Sequence, residues 1–441
     1  MTTLKEQQQI QAEFQSRMDE DELLNCMRCG FCLPTCPTYI ESGFQESHSP
    51  RGRIALMKAV VDGLIEPDED VERSLNMCLG CRACEPVCPS GVNYGHLLEE
   101  ARDIINQNKK HSLSARVVRK TVFKGLFPYQ NRMRTLTSLL GIYQRSGMQN
   151  IVHKSGMMKL FPENLATMEK VLPQVPTRKE MLNRPEHLNA IGTRQKKVAF
   201  FSGCLMDTMF MKTNDATMKL LQLAGCEIVI PKSQACCGAL HGHSGEKEDA
   251  KALAKRNIVA FEEAEVDFII TNAGGCGAFL VDYDHLLKDD PQWATRAKAF
   301  AMKLKDISAI LVELDFHKKE LSLPAQVITY QDSCHLRNVM KTASEPRMLL
   351  QAIQGTTYSE MKNADSCCGS AGIYNIVESE MSMKILDSKM DTVKATEAKT
   401  IVTANPGCLL QMKLGIEREG LSDQMRAVHI VDLLLEAVEK K

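Results

Sequence analysis

Apolar residues recur at helical spacing through the first part of the chain, then give way near residue 196 to short buried-strand runs. Residues 1–25 read as one acidic, amphipathic helix. Ser49 before Pro50 reads as an N-cap with proline in the first turn, opening a helix to about Leu64. Residues 68–77 and 92–108 read as two further helices. From residue 196 the order is strand, loop, helix. The run Lys197–Cys204 is a buried strand ending on cysteine, and a helix from Met211 to Ala224 stops at Gly225. Next come the strand 228–231, the loop Cys236-Cys237-Gly238, a helix over about 245–264, and the strand 268–272 before Cys276.

The same order returns about 130 residues later. Val327–Cys334 matches the first strand, Gly355 matches Gly225, Cys367-Cys368-Gly369 matches the double cysteine, and Ile401–Cys408 matches the strand before Cys276. Agreement of this kind marks an internal repeat. Alternating strands and helices predict two α/β lobes with mainly parallel sheets, and each cysteine then falls near the C-terminal ends of strands, where such sheets place ligands. The fold class expected is a multidomain α+β protein. Its units are an N-terminal helical module (1–108), a basic helical linker (109–195), and two repeated lobes (196–320 and 321–441).

Composition changes this picture in two places. The 441 residues are 44% hydrophobic and carry a net charge of −1, as in a soluble globular protein not built to hold nucleic acid. Yet residues 104–162 hold eleven Lys or Arg and no Asp or Glu. That field reads either as a surface for an anionic membrane or acidic partner, or as a helical connector whose basic face is merely solvated or packs on acidic residues of its own chain. The seventeen cysteines are the second departure. The N-terminus lacks the apolar core of a signal peptide, and no stretch is long and apolar enough to span a bilayer. A cytoplasmic protein, peripheral at the inner membrane face if the basic segment touches lipid, is the expectation. In that reducing compartment clustered cysteines mean metal or redox chemistry.

Two runs carry the chemistry. Cys26, Cys29, Cys32 and Cys36-Pro37 are echoed by Cys78, Cys81, Cys84 and Cys88-Pro89, each spaced C-x2-C-x2-C-x3-C-P. This is the bacterial ferredoxin pattern, in which the fourth cysteine ligates the other cluster. The expected sets are therefore Cys26, Cys29, Cys32 and Cys88 for one [4Fe–4S] cluster, and Cys36, Cys78, Cys81 and Cys84 for the second. Pro37 and Pro89 turn the fourth thiolates away, and Gly30 and Gly80 allow the tight loops. Structural zinc is the alternative, but it leaves one cysteine of each run unused. With 52 residues from Cys26 to Cys78, helices are expected between the cluster loops.

The repeated lobes resemble the CCG, or cysteine-rich, domain of heterodisulfide reductases and of iron–sulfur subunits of membrane-linked dehydrogenases. That family's fullest pattern has five cysteines, and this sequence has Ala273 and Asn405 where the additional ones would stand. Each lobe keeps four, Cys204, Cys236, Cys237 and Cys276, then Cys334, Cys367, Cys368 and Cys408. These are candidate ligands of further iron–sulfur centres, or else buried thiols. Gly274, Gly275 and Gly277 are read as room for a cofactor, and Cys226 as core. His241, His243 and His335 are candidate proton or acceptor residues, with ordinary polar roles as the alternative.

Across nearly its whole length, including Ser49-Pro50-Arg51-Gly52-Arg53-Ile54 and Cys88-Pro89-Ser90-Gly91-Val92, the chain resembles the iron–sulfur subunits of glycolate oxidases. The resemblance implies a complex with FAD-binding subunits that oxidise glycolate, or D-lactate, and an onward acceptor such as a quinone. Relatives serving lactate or glycerol-3-phosphate dehydrogenases share the cluster runs, and a thiol or quinone reductase of the heterodisulfide-reductase kind is a further alternative. A metal-stapled docking scaffold is the non-enzymatic one. No dinucleotide fingerprint or P-loop is present, so no catalytic residue is expected in this chain.

Overall fold

The computed structural model describes residues 4–155 and 168–439. Among these, no strand precedes His187. The single helix expected over 1–25 is instead two, Leu4–Arg17 and Glu20–Leu24. Asp19 makes the break: its backbone is extended, and its side chain accepts a hydrogen bond from the Glu22 N–H as an N-cap. The helices Pro50–Val61, Glu69–Asn76 and Tyr94–Asn108 stand where the sequence puts them, the first capped by Ser49 and the second by Asp68. Phe14, Met57, Leu75, Leu98 and Ile104 pack between these helices. Cys26, Cys84 and Cys88 lie partly buried against that core.

The linker begins with the helix Leu113–Arg119, a π-helical stretch Lys120–Leu126, and the helices Gln130–Arg145 and Met148–Lys154. Part of its basic field is neutralised within the chain. Lys109 pairs with Glu72 at 2.6 Å, Arg119 with Glu246 at 2.9 Å, and Arg134 with the buried Asp207 at 2.8 Å. Residues 156–162 of that field lie outside the described residues.

Among the described residues, nine strands form two sheets. The first contains β1 (His187–Leu188), β2 (Lys196–Phe200), β3 (Cys226–Val229), β4 (Phe268–Thr271) and β5 (Leu304–Asp306), in the order β1-β3-β2-β4-β5. The second contains β6 (Leu321–Gln331), β7 (Ile353–Tyr358), β8 (Thr400–Thr403) and β9 (Arg426–His429), in the order β7-β6-β8-β9. Every pairing is parallel except that of β1 with β3. Apart from β1, the two sheets have one topology, so the repeat read in the cysteines is also a repeat of architecture. β1 comes from the segment read as linker and adds an antiparallel edge.

The two sheets share a core. Phe200, Leu220, Leu221 and Ile270 from the first pack in one cluster with Ile328, Leu349, Val402 and Leu433 from the second, and none of these is more than 1% exposed. Burying a side chain of this size is worth roughly 1.5–3 kcal/mol. The lobes are therefore held together by the same contacts that hold each one together.

Candidate metal centres

Each ferredoxin-type loop bends in the same way around its second cysteine. Arg28 and Gly30 flank Cys29 with φ of 55° and 89°, and Gly80 and Arg82 flank Cys81 with φ of 63° and 57°. Left-handed residues on both sides of a cysteine turn successive backbone N–H groups inward, the geometry that cradles an anion. In the second loop one such group arrives, with the Gly80 N–H donating to Cys78 Sγ at 3.4 Å.

Cys26, Cys29, Cys32, Cys84 and Cys88 line one pocket, together with Gly30, Phe31 and Pro89. The pocket is open to solvent at its mouth. Cys29 is exposed there, and Met27 and Phe31 beside it are each 66% exposed. Cys36 and Cys78 are buried deeper. Burial and then neighbouring thiols, Cys334 and Cys78 for Cys81, and Cys81 and Cys78 for Cys84, push both thiols well above their ordinary range. Cys36 is a further neighbour of both. Thiols this crowded ionise together only around a positive core, which is what iron provides.

Arg53 is the most telling residue at this set. It is fully buried; its Nε donates to Ser74 O at 2.7 Å and its Nη2 to Thr38 Oγ1 at 3.1 Å. Thr38 Oγ1 in turn lies 3.3 Å from Cys36 Sγ. Nη1 has no partner. A buried, unpaired guanidinium donor is costly unless an anion meets it. Burial tends to raise the Cys78 thiol, but the Arg53 and Arg102 charges win and lower it. Tyr94 OH adds a bond to Cys78 Sγ at 3.5 Å. Buried charge, orphaned donor and four nearby cysteines fit an anionic thiolate-bound cluster.

In the first lobe Cys204 Sγ lies 3.5 Å from Cys236 Sγ, and Cys237 neighbours both Cys236 and Cys276. In the second, Cys334, Cys367, Cys368 and Cys408 are neighbours in that order, all of them free thiols. All eight lobe cysteines are thus gathered into two sets of four. The hydrogen bond to Cys236 and then burial push the Cys204 thiol well up, and the same pair of causes acts on Cys334 through Cys367. The lobes differ in one charge. Lys389 is 3% exposed beside Cys367 and Cys368, whereas in the first lobe Asn257 holds the same position in the helix Lys247–Glu262 that Lys389 holds in Ser379–Lys394, and bonds Cys236 O at 3.0 Å. Cys226 is buried in the core, as read, with its thiol pushed up to about 12, chiefly by burial.

The glycines around Cys276 serve the lobe–lobe contact, and not the cofactor approach expected of them. A Cβ on Gly274 would stand 2.4 Å from Ser333 Oγ, and one on Gly277 would stand 2.3 Å from Met340 Sδ, both across the joint. Asn405, at the position of an absent cysteine, has a related role. Its Oδ1 accepts from the Gly275 N–H at 3.0 Å while its Nδ2 donates to Cys408 Sγ at 3.6 Å. Sequence reasoning missed this residue and Arg53 as well. For Arg53 the signal was present: it follows a capped proline turn, on the face that the helix must bury.

The histidines fall at joints. His241 Nε2 donates to Phe123 O at 2.9 Å, fixing the linker to the first lobe. His243 Nδ1 is 2.7 Å from Glu99 Oε1, and its ring lies 5.4 Å from that of His335. His335 Nε2 donates to Gly80 O at 2.9 Å, and Asn338 Nδ2 to Cys81 O at 2.9 Å. The second cluster loop is thus pinned against the second lobe. There Met77, Leu79, Cys367 and Tyr374 form one small apolar cluster, with Cys81 and Cys334 packed on it. Beside it, Arg82 bridges Glu85 and Asp282, and His96 stacks on His285 at 3.6 Å.

Comparison with known proteins agrees with this geometry. A 4Fe–4S dicluster domain matches residues 22–92, a glycolate oxidase iron–sulfur subunit linker region matches 114–172, and the cysteine-rich domain matches twice, at 198–281 and 328–413. A probable glycolate oxidase iron–sulfur subunit of Bacillus subtilis is 74% identical over the full length of both chains. The glycolate oxidase iron–sulfur subunit of Escherichia coli is 30% identical over 96% of each. Lactate utilization protein A of Exiguobacterium is 32% identical over 55% of this chain and 98% of its own. A hypothetical protein from Helicobacter pylori shares the fold, with a TM-score of 0.53 at 11% identity, over 97% of this chain and 74% of its own. With two cysteine loops, a matched linker and two four-cysteine lobes in the same order, this chain belongs to the family of glycolate oxidase iron–sulfur subunits.

Proposed function

We propose that this chain is the electron-transfer subunit of a complex that oxidises glycolate, or a close 2-hydroxy acid such as D-lactate, on a partner subunit carrying FAD. Bound clusters supply one-electron redox chemistry between that flavin and a quinone-like acceptor. The ligand sets are Cys26, Cys29, Cys32 and Cys88, and Cys36, Cys78, Cys81 and Cys84, within the unit 1–108. The linker 109–195 then joins them to the lobes 196–320 and 321–441. Working in the cytoplasm, the chain meets the inner face of the membrane from one side.

The observation that carries this reading is the position of the two loops. The first opens to solvent, with exposed Cys29 flanked by exposed Met27 and Phe31, an apolar surface suited to a docking flavoprotein. The second is pressed against the second lobe through His335, Asn338 and Tyr374, the last donating to Met77 O at 3.0 Å. Entry at the first loop and onward passage toward Cys334 and Cys367 follow from that order. Lys389 gives the second lobe a buried cation to balance thiolate charge, so we assign the onward centre to that lobe before the first.

The test is to purify the complex anaerobically with its flavoprotein, measure iron and sulfide, and follow cluster bleaching and EPR on adding glycolate. Bleaching by glycolate supports the assignment. Reduction by D-lactate or glycerol 3-phosphate but not glycolate would reassign the substrate. Disulfide reduction without the flavoprotein would favour a thiol reductase instead.

A further inference from the structure

The helix Gln130–Arg145 has its surfaces reversed. Toward the protein it buries Met133, Thr137, Ser138 and Gly141, three of them small or polar. Toward solvent it presents Leu136, Leu139 and Ile142, which are 51%, 59% and 56% exposed. Spaced by three, these side chains share one side of the helix. A surface helix ordinarily faces its aliphatic stripe inward. Leaving three such groups in water forgoes roughly 1.5–3 kcal/mol each.

Along the chain the charge beside this stripe has one sign, while Glu169 and Glu180 reach Tyr143 and Arg145 of this helix from a later segment. Residues 104–155 contain no Asp or Glu. At the start of the helix, Arg132 lies over the ring of the half-exposed Tyr129, 4.2 Å from its centroid. Arg116, Lys120 and Lys154 are exposed, with no carboxylate partner among the described residues.

We propose that this face of the linker docks on an anionic lipid surface, with Leu136, Leu139 and Ile142 entering the headgroup region and the flanking Lys and Arg side chains meeting lipid phosphates. An acidic protein patch would answer the cations but leave the aliphatic stripe facing carboxylates. A bilayer of anionic lipid answers both. Among the described residues no helix is long and apolar enough to cross a membrane, so contact of this kind is made from the surface. Docking would bring a lipid-soluble acceptor within reach, and in that respect alone it deepens the proposed function.

The experiment is flotation of the holoprotein with phosphatidylglycerol vesicles or with neutral phosphatidylcholine vesicles, at low and high salt. Binding to the anionic vesicles that weakens with salt is expected. The triple variant Leu136→Gln, Leu139→Gln, Ile142→Gln should lose it while keeping its thermal transition and cluster absorbance, because these side chains stand outside the core. Lys120→Gln should weaken binding by roughly fivefold, the share of one cation at about 1 kcal/mol. No binding by the wild type, or binding untouched by the triple variant, overturns the proposal. So does a triple variant that still floats but no longer co-purifies with the flavoprotein, which would make this face a subunit contact. None of these outcomes depends on substrate or electron flow, so failure here and failure of the electron-transfer reading are distinguishable.

Discussion

Replacing Arg53 should lower the reduction potential of the second cluster specifically. Two hydrogen bonds laid end to end, 3.3 Å from Cys36 Sγ to Thr38 Oγ1 and 3.1 Å on to Arg53 Nη2, place the guanidinium no more than 6.4 Å from that sulfur. At an effective dielectric of about 20, a unit charge at that distance interacts by about 2.6 kcal/mol with a charge gained on reduction. For a one-electron couple this corresponds to roughly 100 mV. Arg53→Gln is therefore expected to move one cluster down by about 50–100 mV, allowing for reorganisation, and to leave the other within experimental error. Arg53→Lys keeps the charge and should recover most of the shift. Because a buried arginine can also be needed for folding, Thr38→Val serves as a second probe, removing the bridge to Cys36 but not the charge; a shift well below that of Arg53→Gln is expected. The assay is an EPR-monitored redox titration of the holoprotein. If Arg53→Gln assembles both clusters and neither potential moves, the electrostatic role argued from the orphaned Nη1 is wrong.

Three other outcomes follow from the geometry. Gly52→Ala would place a Cβ 1.9 Å from Glu46 O, so it should cost about 3 kcal/mol or more and impair cluster assembly, read as a lower melting temperature and iron content. Asp306 is 1% exposed and burial pushes its carboxyl up to about 7, against hydrogen bonds from Ser308. With the folded value above the unfolded one, its contribution is whole below about pH 4 and is lost as pH rises through about 7. Asp306→Asn, which retains the N-cap to Ser308, should therefore raise the melting temperature at pH 8 more than at pH 5, and an equal effect at both would refute the argument. Lastly, Cys367→Ser should remove more iron and EPR intensity than Cys236→Ser, because the buried Lys389 favours the second lobe; equal losses would contradict that ordering.

What the sequence made legible is what local spacing controls. The cysteine runs, the capped helix at Ser49-Pro50, and the repeated strand–loop–helix order depend on neighbours along the chain, and all reappear in the structure. The break at Asp19 was overlooked because a capping side chain inside an acidic stretch looks like one more charge. Gly274 and Gly277 were misread because close approach was inferred correctly but the approaching body was not: it is the other lobe. The bond from Gly275 to Asn405 carried no local signal, since the two meet only when the lobes are packed. In the basic linker, Arg119 and Arg134 are tied to carboxylates of the same chain, as the connector reading has it.

The hydrophobic interior common to both sheets has an evolutionary corollary. Once Leu220 and Leu433 lean on the same neighbours, neither half can be discarded without uncovering the other. Its sulfur ligands are under no such obligation. A duplicated unit of this kind can let one copy's chemistry drift, as Asn257 and Lys389 already differ, while selection for solubility alone preserves its shape.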